Sequence, residues 1–294
     1  MCLGTAALQH FFGTAYTSLG PIDDPALQTC PSSELLKHNA KVYIAGRSRA
    51  KFDQEAKFLE LDLGSLQSVK NAAEEYLSKE TELHILGQML PSIDQLNVDG
   101  YDLQFGTNIV GHFYFTKQLL PALIVGAKAS PDGRARVVNT SSVAHYMGSL
   151  DFGTFNDSSK RKTLSKAKLS SQSKLGNVVF SSELGKRYGH QGIVSTALNP
   201  GHIRTSWQNN VPKYQAAMVD FILHEPHFGS LTLLWGTSPE TKDYNGQFLI
   251  PWARLGQAKP GADDDKLGVE LWAWLEDQIK DFNTRGSGVI KAKL

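Results

Sequence analysis

Hydrophobic positions along most of the chain fall into two alternating patterns. Short apolar runs rich in β-branched residues predict buried strands, and they lie at 41–46, 56–63, 83–86, 136–142, 192–201 and 246–253. Between them, apolar residues spaced three and four positions apart predict helices over 65–80, 99–124, 169–188 and 267–282. Strands that alternate with crossover helices are typical of a parallel sheet covered by helices on both faces. The predicted fold class is therefore α/β, with a doubly wound parallel sheet.

The first 33 residues do not follow this pattern. Their second half is rich in proline, serine and aspartate, which indicates loop. A doubly wound sheet that binds a dinucleotide begins with a strand and a glycine-rich turn, but Gly13 and Gly20 are too far apart for that turn. We expect a mostly loop segment over 1–33 and a single domain over 34–294, whose sheet lacks its first strand or replaces it with 7–16. Losing a central strand would expose its neighbours, which predicts reduced stability and a tendency to associate.

Composition excludes several classes of protein. A chain of 294 residues, 41% hydrophobic and 20% charged, suits one ordinary domain with a sizeable core. The net charge of +1 gives no electrostatic basis for binding nucleic acid or a membrane surface, and no apolar run is long enough for a membrane span. Two cysteines, Cys2 and Cys30, make no disulfide framework, so we expect a reducing, cytoplasmic location. The histidines show no metal-ligand spacing, so no metal site is predicted.

Several polar residues follow the predicted strands, where ligands of such sheets bind. Arg47 follows the strand at 41–46 and is either a ligand for a 2′-phosphate or a solvated side chain. Asp62 is either an acceptor for an adenine amine or a helix cap. Ser142 ends a strand and either binds a substrate carbonyl or caps a turn.

Three further sets of residues have notable local chemistry. Asn108 lies inside a predicted helix, where asparagine is unfavourable, and is either a water-binding amide or a buried, satisfied one. Pro200 and Gly201 form a turn that either approaches a flat ligand or simply connects two elements. Ser170 and Lys174 are four residues apart, so they share one face of the helix over 169–188.

The order and spacing of these residues resemble the short-chain dehydrogenase/reductase family, in its retinol-dehydrogenase-like and WW-domain-oxidoreductase-like fungal branch. The resemblance extends from Ser33 to Phe282, and four segments are closest: 99–123, 136–142, 172–189 and 195–205. It implies a Rossmann-type sheet and hydride transfer with NADP(H). It also implies a homo-oligomer, because members often form dimers or tetramers through their long helices.

The resemblance implies a catalytic role for each matching residue. Asn108 would anchor a water in a proton relay, and Ser142 would polarise the substrate carbonyl. Lys174 would hold the nicotinamide ribose and lower the pKa of a neighbouring phenol. The family carries that phenol on a tyrosine four residues before the lysine, where this chain has Ser170.

The resemblance also implies the cofactor and substrate contacts. Asp62 would meet the adenine and Arg47 the 2′-phosphate. Four residues would touch the nicotinamide amide or the phosphates: Pro200, Gly201, Ile203 and Thr205. The segment 206–229 would cover the substrate, and its apolar content suggests a hydrophobic alcohol or ketone, such as an isoprenoid or steroid-like compound.

Three departures from the family weaken the expected activity. Ser170 is a much weaker acid than tyrosine and too short to reach the same oxygen, and loss of a positioned acid commonly costs about 10²–10⁴-fold in rate. The glycine-rich turn is absent, and Leu86 runs directly into Gly87 where the family has an Asn-Asn-Ala-Gly turn. Tyr146 is either a substitute phenol or a wall of the substrate pocket.

Four interpretations remain open on the sequence. The first is an oxidoreductase acting with NADP(H) on a hydrophobic alcohol or ketone, weakly or not at all. The second is a non-redox isomerase or cyclase that uses Ser142 and Lys174. The third is a catalytically dead binding protein with the same fold. The fourth is a chain in which mis-joined exons have removed the missing segments.

Overall fold

The structure is a computed structural model that describes residues 14–18, 31–47, 56–88, 96–203 and 223–285. Its centre is one sheet in the order β3-β2-β1-β4-β5-β6-β7-β8. The first seven strands in this order are parallel, and β8 pairs antiparallel with β7. The strands are β1 Thr14–Ser18, β2 Lys41–Gly46, β3 Lys57–Glu60, β4 Ile85–Gln88, β5 Ala135–Thr140, β6 Ile193–Leu198, β7 Phe248–Ile250 and β8 Arg254–Gly256. The α/β fold with a doubly wound sheet is confirmed.

Helices cover both faces of the sheet. The longer helices are α1 Pro31–Lys37, α2 Leu66–Lys79, α3 His112–Ala129, α4 Lys166–Tyr188, α5 Pro226–Thr237 and α6 Asp265–Arg285. The larger hydrophobic core lies between the sheet and α2, α3 and α4, with α6 packed outside α4. Two smaller cores lie on the opposite face, one beneath α1 and one beneath α5. None of the helices in the described part is long and apolar enough to cross a membrane.

Several short helical segments connect these elements. They are the α-turns Leu103–Phe105 and Ser159–Lys162, the π-helical turn Gly106–Gly111, and the 3-10 turns Val143–Met147, Phe152–Thr154, Gly189–Gln191 and Pro239–Thr241.

The first strand is replaced rather than lost. Strand β1 pairs with β2, placing Thr14 opposite Lys41, and also with β4, placing Ala15 opposite Ile85. It shares only its first three residues with the predicted replacement at 7–16, and it precedes Gly20, where the sequence had shown no strand. Because the central position is filled, the reason to expect reduced stability and association no longer holds. Cys2, Cys30 and the residues after β1 that would form the glycine-rich turn lie outside the described residues.

The long helix predicted over 99–124 is divided at its start. The turn Leu103–Phe105 leads into the π-helical turn Gly106–Gly111, and α3 follows at once. At Gly111, a Cβ atom would lie 2.1 Å from the Leu63 carbonyl oxygen, so only glycine allows this close approach. A π-helical turn inside an α-helix is frequent at functional sites, and Asn108 lies within this one.

Candidate active site

Ser142 lies two residues beyond the carboxyl end of the central strand β5. All six residues of β5 are buried, which fixes the strand end in the core. Ser142 is half-buried, and its side-chain oxygen accepts a hydrogen bond from the Ala144 backbone N at 3.3 Å, which caps the 3-10 turn Val143–Met147. The predicted capping role of Ser142 is therefore present, and it holds the hydroxyl directly beyond the strand.

Helix α4 positions Lys174 against the same strand end. The helix begins at the N-cap Ser165, whose side chain accepts a hydrogen bond from Lys168 N at 3.3 Å. Lys174 Nζ donates to the Thr140 carbonyl oxygen at 3.3 Å. The same oxygen accepts a hydrogen bond from Asn177 Nδ2 at 2.9 Å. These contacts fasten the middle of α4 to the end of β5.

The Lys174 amine is unusual for a lysine because it is buried without a counter-ion. The residue is only 7% exposed, and no carboxylate of the described residues forms an ion pair with it. Burial penalises the charged form and lowers the pKa of Lys174 to about 8. A large share of its amine is therefore neutral at mildly alkaline pH.

Asn108 reaches the site through a serine that sequence reasoning missed. Asn108 is buried, and its Nδ2 donates to Ser173 Oγ at 2.9 Å. Ser173 Oγ in turn donates to the Ser170 carbonyl oxygen at 2.9 Å. The only sequence signal for Ser173 is a small polar residue directly before Lys174 in a helix that is otherwise packed into the core. The water-anchoring role of Asn108 stays a prediction.

The two candidate hydroxyls for the missing phenol differ in where they lie. Ser170 is half-buried and one helical turn before Lys174. Tyr146 is 44% exposed, and its hydroxyl donates to the Gln257 carbonyl oxygen in the segment before α6. The Tyr146 phenol is therefore engaged by that segment, which agrees with a wall position rather than a substitute acid.

The residues expected near the adenosine also lie at the carboxyl end of the sheet, after strands β2 and β3. Arg47 is exposed and directly follows β2. Asp62 is half-buried, and its Oδ1 accepts a hydrogen bond from Gly64 N at 2.8 Å. The N-cap of α2 is Ser65, so the alternative of Asp62 as that cap is wrong. Asp99, which the sequence analysis did not identify, accepts from Leu66 N at 2.8 Å.

The burial of Asp99 also affects its ionisation. Desolvation is the main cause that raises the pKa of Asp99, and the nearby charge of Asp62 adds to it.

The turn after β6 packs against an aromatic cluster. Asn199 Oδ1 accepts a hydrogen bond from Gly201 N at 3.1 Å, and Gly201 has a φ of +93°. A Cβ at Gly201 would come within 2.8 Å of the Trp252 ring, so glycine is required both by the backbone and by this contact. Sequence reasoning missed Trp252, because it follows β7 and lies about fifty residues along the chain.

The aromatic cluster consists of His224, Phe228 and Trp252. The Trp252 ring lies 4.9 Å from His224 and 5.2 Å from Phe228, measured between ring centroids. Ile203 pairs with His224 in an isolated parallel bridge, which brings the cluster beside the turn. Thr205 and residues 206–222 of the predicted substrate-covering segment lie outside the described residues.

A buried polar network lies behind the site and was not predicted. His112 Nε2 donates to Asn139 Oδ1 at 2.9 Å, and Asn139 Nδ2 donates to Ser195 Oγ at 3.1 Å. Ser181 Oγ lies 2.9 Å from Ser195 Oγ. Complete burial lowers the pKa of His112 to about 4, so the imidazole is neutral at physiological pH. The network joins α3, β5, β6 and α4.

The structure thus brings Ser142, Lys174, Ser170 and Asn108 together where β5 meets α4. Arg47 and Asp62 are not in contact with them, because β2 and β3 lie on the other side of β1 and β4. Arg47, Asp62 and Ser142 nevertheless follow the carboxyl ends of the parallel strands β2, β3 and β5, and so lie at the same end of the sheet. Within the described ranges, no group of three or more His, Cys, Asp or Glu residues could hold a metal ion.

Comparisons with known proteins show to which family the chain belongs. The sequence model of the family described as short chain dehydrogenase matches residues 29–216. A short-chain dehydrogenase/reductase from Armillaria gallica is 51% identical over 264 residues, which cover 84% of this chain and 85% of that protein. Human retinol dehydrogenase 12 is 36% identical over 188 residues, which cover 58% of this chain and 56% of that protein.

A solved structure shows the same fold. The complex of Pseudomonas aeruginosa RhlG with NADP aligns with a TM-score of 0.62 at 18% identity, covering 82% of this chain and 96% of that one. The family match extends over more than half of the chain and includes both β5 and α4. The chain belongs to the short-chain dehydrogenase/reductase family.

Proposed function

We propose that the protein is an oxidoreductase that uses NADP(H) to interconvert a hydrophobic alcohol and its carbonyl compound. The observation that carries this proposal is the position of Lys174, held on the end of β5 beside Ser142 and backed by Asn108 through Ser173. The relatives support the reaction class, because those named above are dehydrogenases or reductases. They do not favour a non-redox reaction or a pure binding role.

The described residues fit both ends of an extended dinucleotide. At one end, Arg47 offers an exposed guanidinium for a 2′-phosphate, and Asp62, which follows the neighbouring strand β3, offers a carboxylate for the adenine. At the other end, Lys174 and the turn at Gly201 are the residues that we propose bind the nicotinamide half. The RhlG structure holds NADP, which supports the choice of cofactor. When bound, NADP(H) would supply or accept the hydride.

The protein's own residues then act on the substrate oxygen. The Ser142 hydroxyl would donate a hydrogen bond to the carbonyl oxygen, and the Lys174 amine would bind the ribose hydroxyls. No tyrosine stands one turn before Lys174, so the proton must come through a weaker donor. We therefore expect slow turnover in the chain as it stands.

The substrate is proposed to be hydrophobic because aromatic side chains lie beside the turn that is proposed to bind the nicotinamide half. The cluster of His224, Phe228 and Trp252 forms an aromatic wall beside the Gly201 turn. Aromatic and apolar side chains predominate in pockets for small organic ligands. Human retinol dehydrogenase 12 is named for an apolar alcohol, which supports the same class of substrate.

The experiment that tests the proposal restores the missing acid. Ser170→Tyr should raise NADPH-dependent reduction of hydrophobic aldehydes and ketones by about 10²–10⁴-fold, because a phenol beside the Lys174 amine becomes a positioned proton donor. Lys168→Tyr is the matched control, since it adds the same phenol at an exposed position of the same helix. If a folded Ser170→Tyr variant gains nothing over the Lys168→Tyr control, the proposed function is wrong.

A further inference from the structure

Lys174 is a buried lysine that, among the described residues, has neither a counter-ion nor a tyrosine one helical turn before it. It is 7% exposed, its Nζ contacts the Thr140 carbonyl oxygen at 3.3 Å, and it forms no ion pair within the described part of the chain. Buried lysines in proteins are normally paired. A buried, unpaired lysine amine tends instead to give up its proton.

Ser170 lies one helical turn before Lys174, on the same face of α4. Long side chains in an α-helix lean back toward its N-terminus and cover the residue one turn earlier. At that position the chain has a half-buried serine rather than a tyrosine ring, so the approach to the amine is not covered by an aromatic side chain from this turn. Ser142, two residues beyond Thr140, is half-buried at the same end of β5.

We propose that Lys174 is a carbonyl-reactive amine that captures small hydrophobic aldehydes as an imine when the cofactor is absent. This activity is separate from hydride transfer and involves no change of oxidation state. It assigns to Lys174 a covalent role in addition to the ribose contact proposed above. The aromatic wall beside the Gly201 turn favours aldehydes with an apolar body.

The chemistry balances without another reactant. The lone pair of the neutral Nζ attacks the carbonyl carbon, a C–N bond forms, and the C=O π electrons move to the oxygen. Proton transfer from nitrogen to oxygen gives a carbinolamine, with Ser142 placed to hydrogen-bond the oxygen. Loss of one water then forms the C=N bond, so amine and aldehyde give imine and water.

The ionisation state of the amine supports this step. Burial lowers the pKa of Lys174 to about 8, so about a quarter of the amine is neutral at pH 7.5. A lysine with the ordinary pKa of about 10.4 is neutral to only about 0.1% at the same pH. The reactive form is therefore enriched about 200-fold at a buried site of this kind.

The test traps the imine in the protein without cofactor. The purified chain is incubated with benzaldehyde and sodium cyanoborohydride at pH 7.5, and benzylated lysines are located and timed by peptide mass spectrometry. We expect labelling at Lys174 to exceed that at Lys168, an exposed lysine on the same helix, by at least about 10-fold. Labelling confined to exposed lysines, with Lys174 unmodified, would overturn the proposal.

Two variants test whether the labelling depends on the site around Lys174. Ser170→Tyr should lower labelling at Lys174 by about 10-fold or more while labelling at Lys168 stays constant, because the phenol covers and engages the amine. Lys174→Met should remove the preferred label. If Lys174 in a folded Ser170→Tyr variant is labelled as fast as in the natural chain, the role given to Ser170 is wrong. The readout is a covalent mass change, so it can fail or succeed independently of NADPH oxidation.

Discussion

At the residue scale, Lys174 combines a stability cost with a functional position. Its amine is buried on α4, and among the described residues its hydrogen-bond partner is the carbonyl oxygen of Thr140 at the end of β5. Removing a charged group from water is unfavourable unless an opposite charge compensates it. The lysine is retained at this position at the expense of stability, which is typical of residues that act on a ligand.

This cost predicts a pH dependence of stability. Burial lowers the pKa of Lys174 from 10.5 to about 8, so the unfolded chain binds more protons between these two values. The free energy of unfolding should therefore rise through this pH interval, by at most about 3 kcal/mol, and the penalty should be fully present below pH 8. Urea unfolding at pH 7 and pH 10 measures it.

Lys174→Met is the control for that measurement, because it keeps an unbranched side chain and removes the titration. The variant should be more stable than the natural chain at pH 7, and the difference should shrink by pH 10. If the free energies of unfolding of the two proteins differ by the same amount at pH 7 and pH 10, burial of the Lys174 amine does not destabilise the fold.

At the element scale, a buried ion pair holds the segment that carries Asn108. Asp102 is fully buried, and its Oδ1 accepts a hydrogen bond from Phe105 N at 3.0 Å. Its Oδ2 accepts from Arg161 Nε at 3.0 Å and from Arg161 Nη2 at 2.8 Å. Asp102 thus fixes both the start of the Leu103–Phe105 turn and the short helix Ser159–Lys162. The π-helical turn with Asn108 follows directly.

Asp102→Ala is expected to destabilise the fold by about 3–5 kcal/mol, because it removes the fully buried carboxylate that pairs with the Arg161 guanidinium. Asp157→Ala is the matched control, since Asp157 pairs with Lys162 on the surface of the same region, at 3.2 Å. An exposed pair contributes less than about 1 kcal/mol. Chemical unfolding of both variants measures the difference, and similar losses in the two would contradict the role of Asp102.

Elements with strong local patterns could be predicted from the sequence, and those determined by distant contacts could not. Residues 41–46 are a strand in the prediction and in the structure, because a β-branched run closed by glycine specifies it locally. The π-helical turn depends on Gly111 approaching the Leu63 carbonyl, a contact 48 positions away in the chain. The same limit applies to Trp252, which meets the Gly201 turn only in the folded protein.

At the scale of the whole molecule, the sheet depends on β1. This strand lies between β2 and β4 and pairs with both of them. Its sequence gives a weak strand signal, since "TAYTS" has few large apolar residues, so its place is set by the strands on either side. That dependence explains why the sequence suggested a gap at this point.

Ala15→Pro should therefore prevent cooperative folding or lower the melting temperature by many degrees. Proline removes a ladder hydrogen bond and is excluded from central strands. Ala15→Ser is the control at the same position and should melt close to the natural chain. Thermal unfolding followed by circular dichroism compares them. A sharp, unshifted transition in Ala15→Pro would show that β1 is not part of the sheet.

We propose that the chain retains a site for NADP(H) despite its altered residues. Titration of the purified protein with NADPH and with NADH, followed by tryptophan fluorescence and calorimetry, tests this most directly. We predict a Kd on the order of micromolar for NADPH, with at least about 10-fold weaker binding of NADH. Arg47→Gln should remove that preference. Absence of binding at millimolar NADPH would contradict the account.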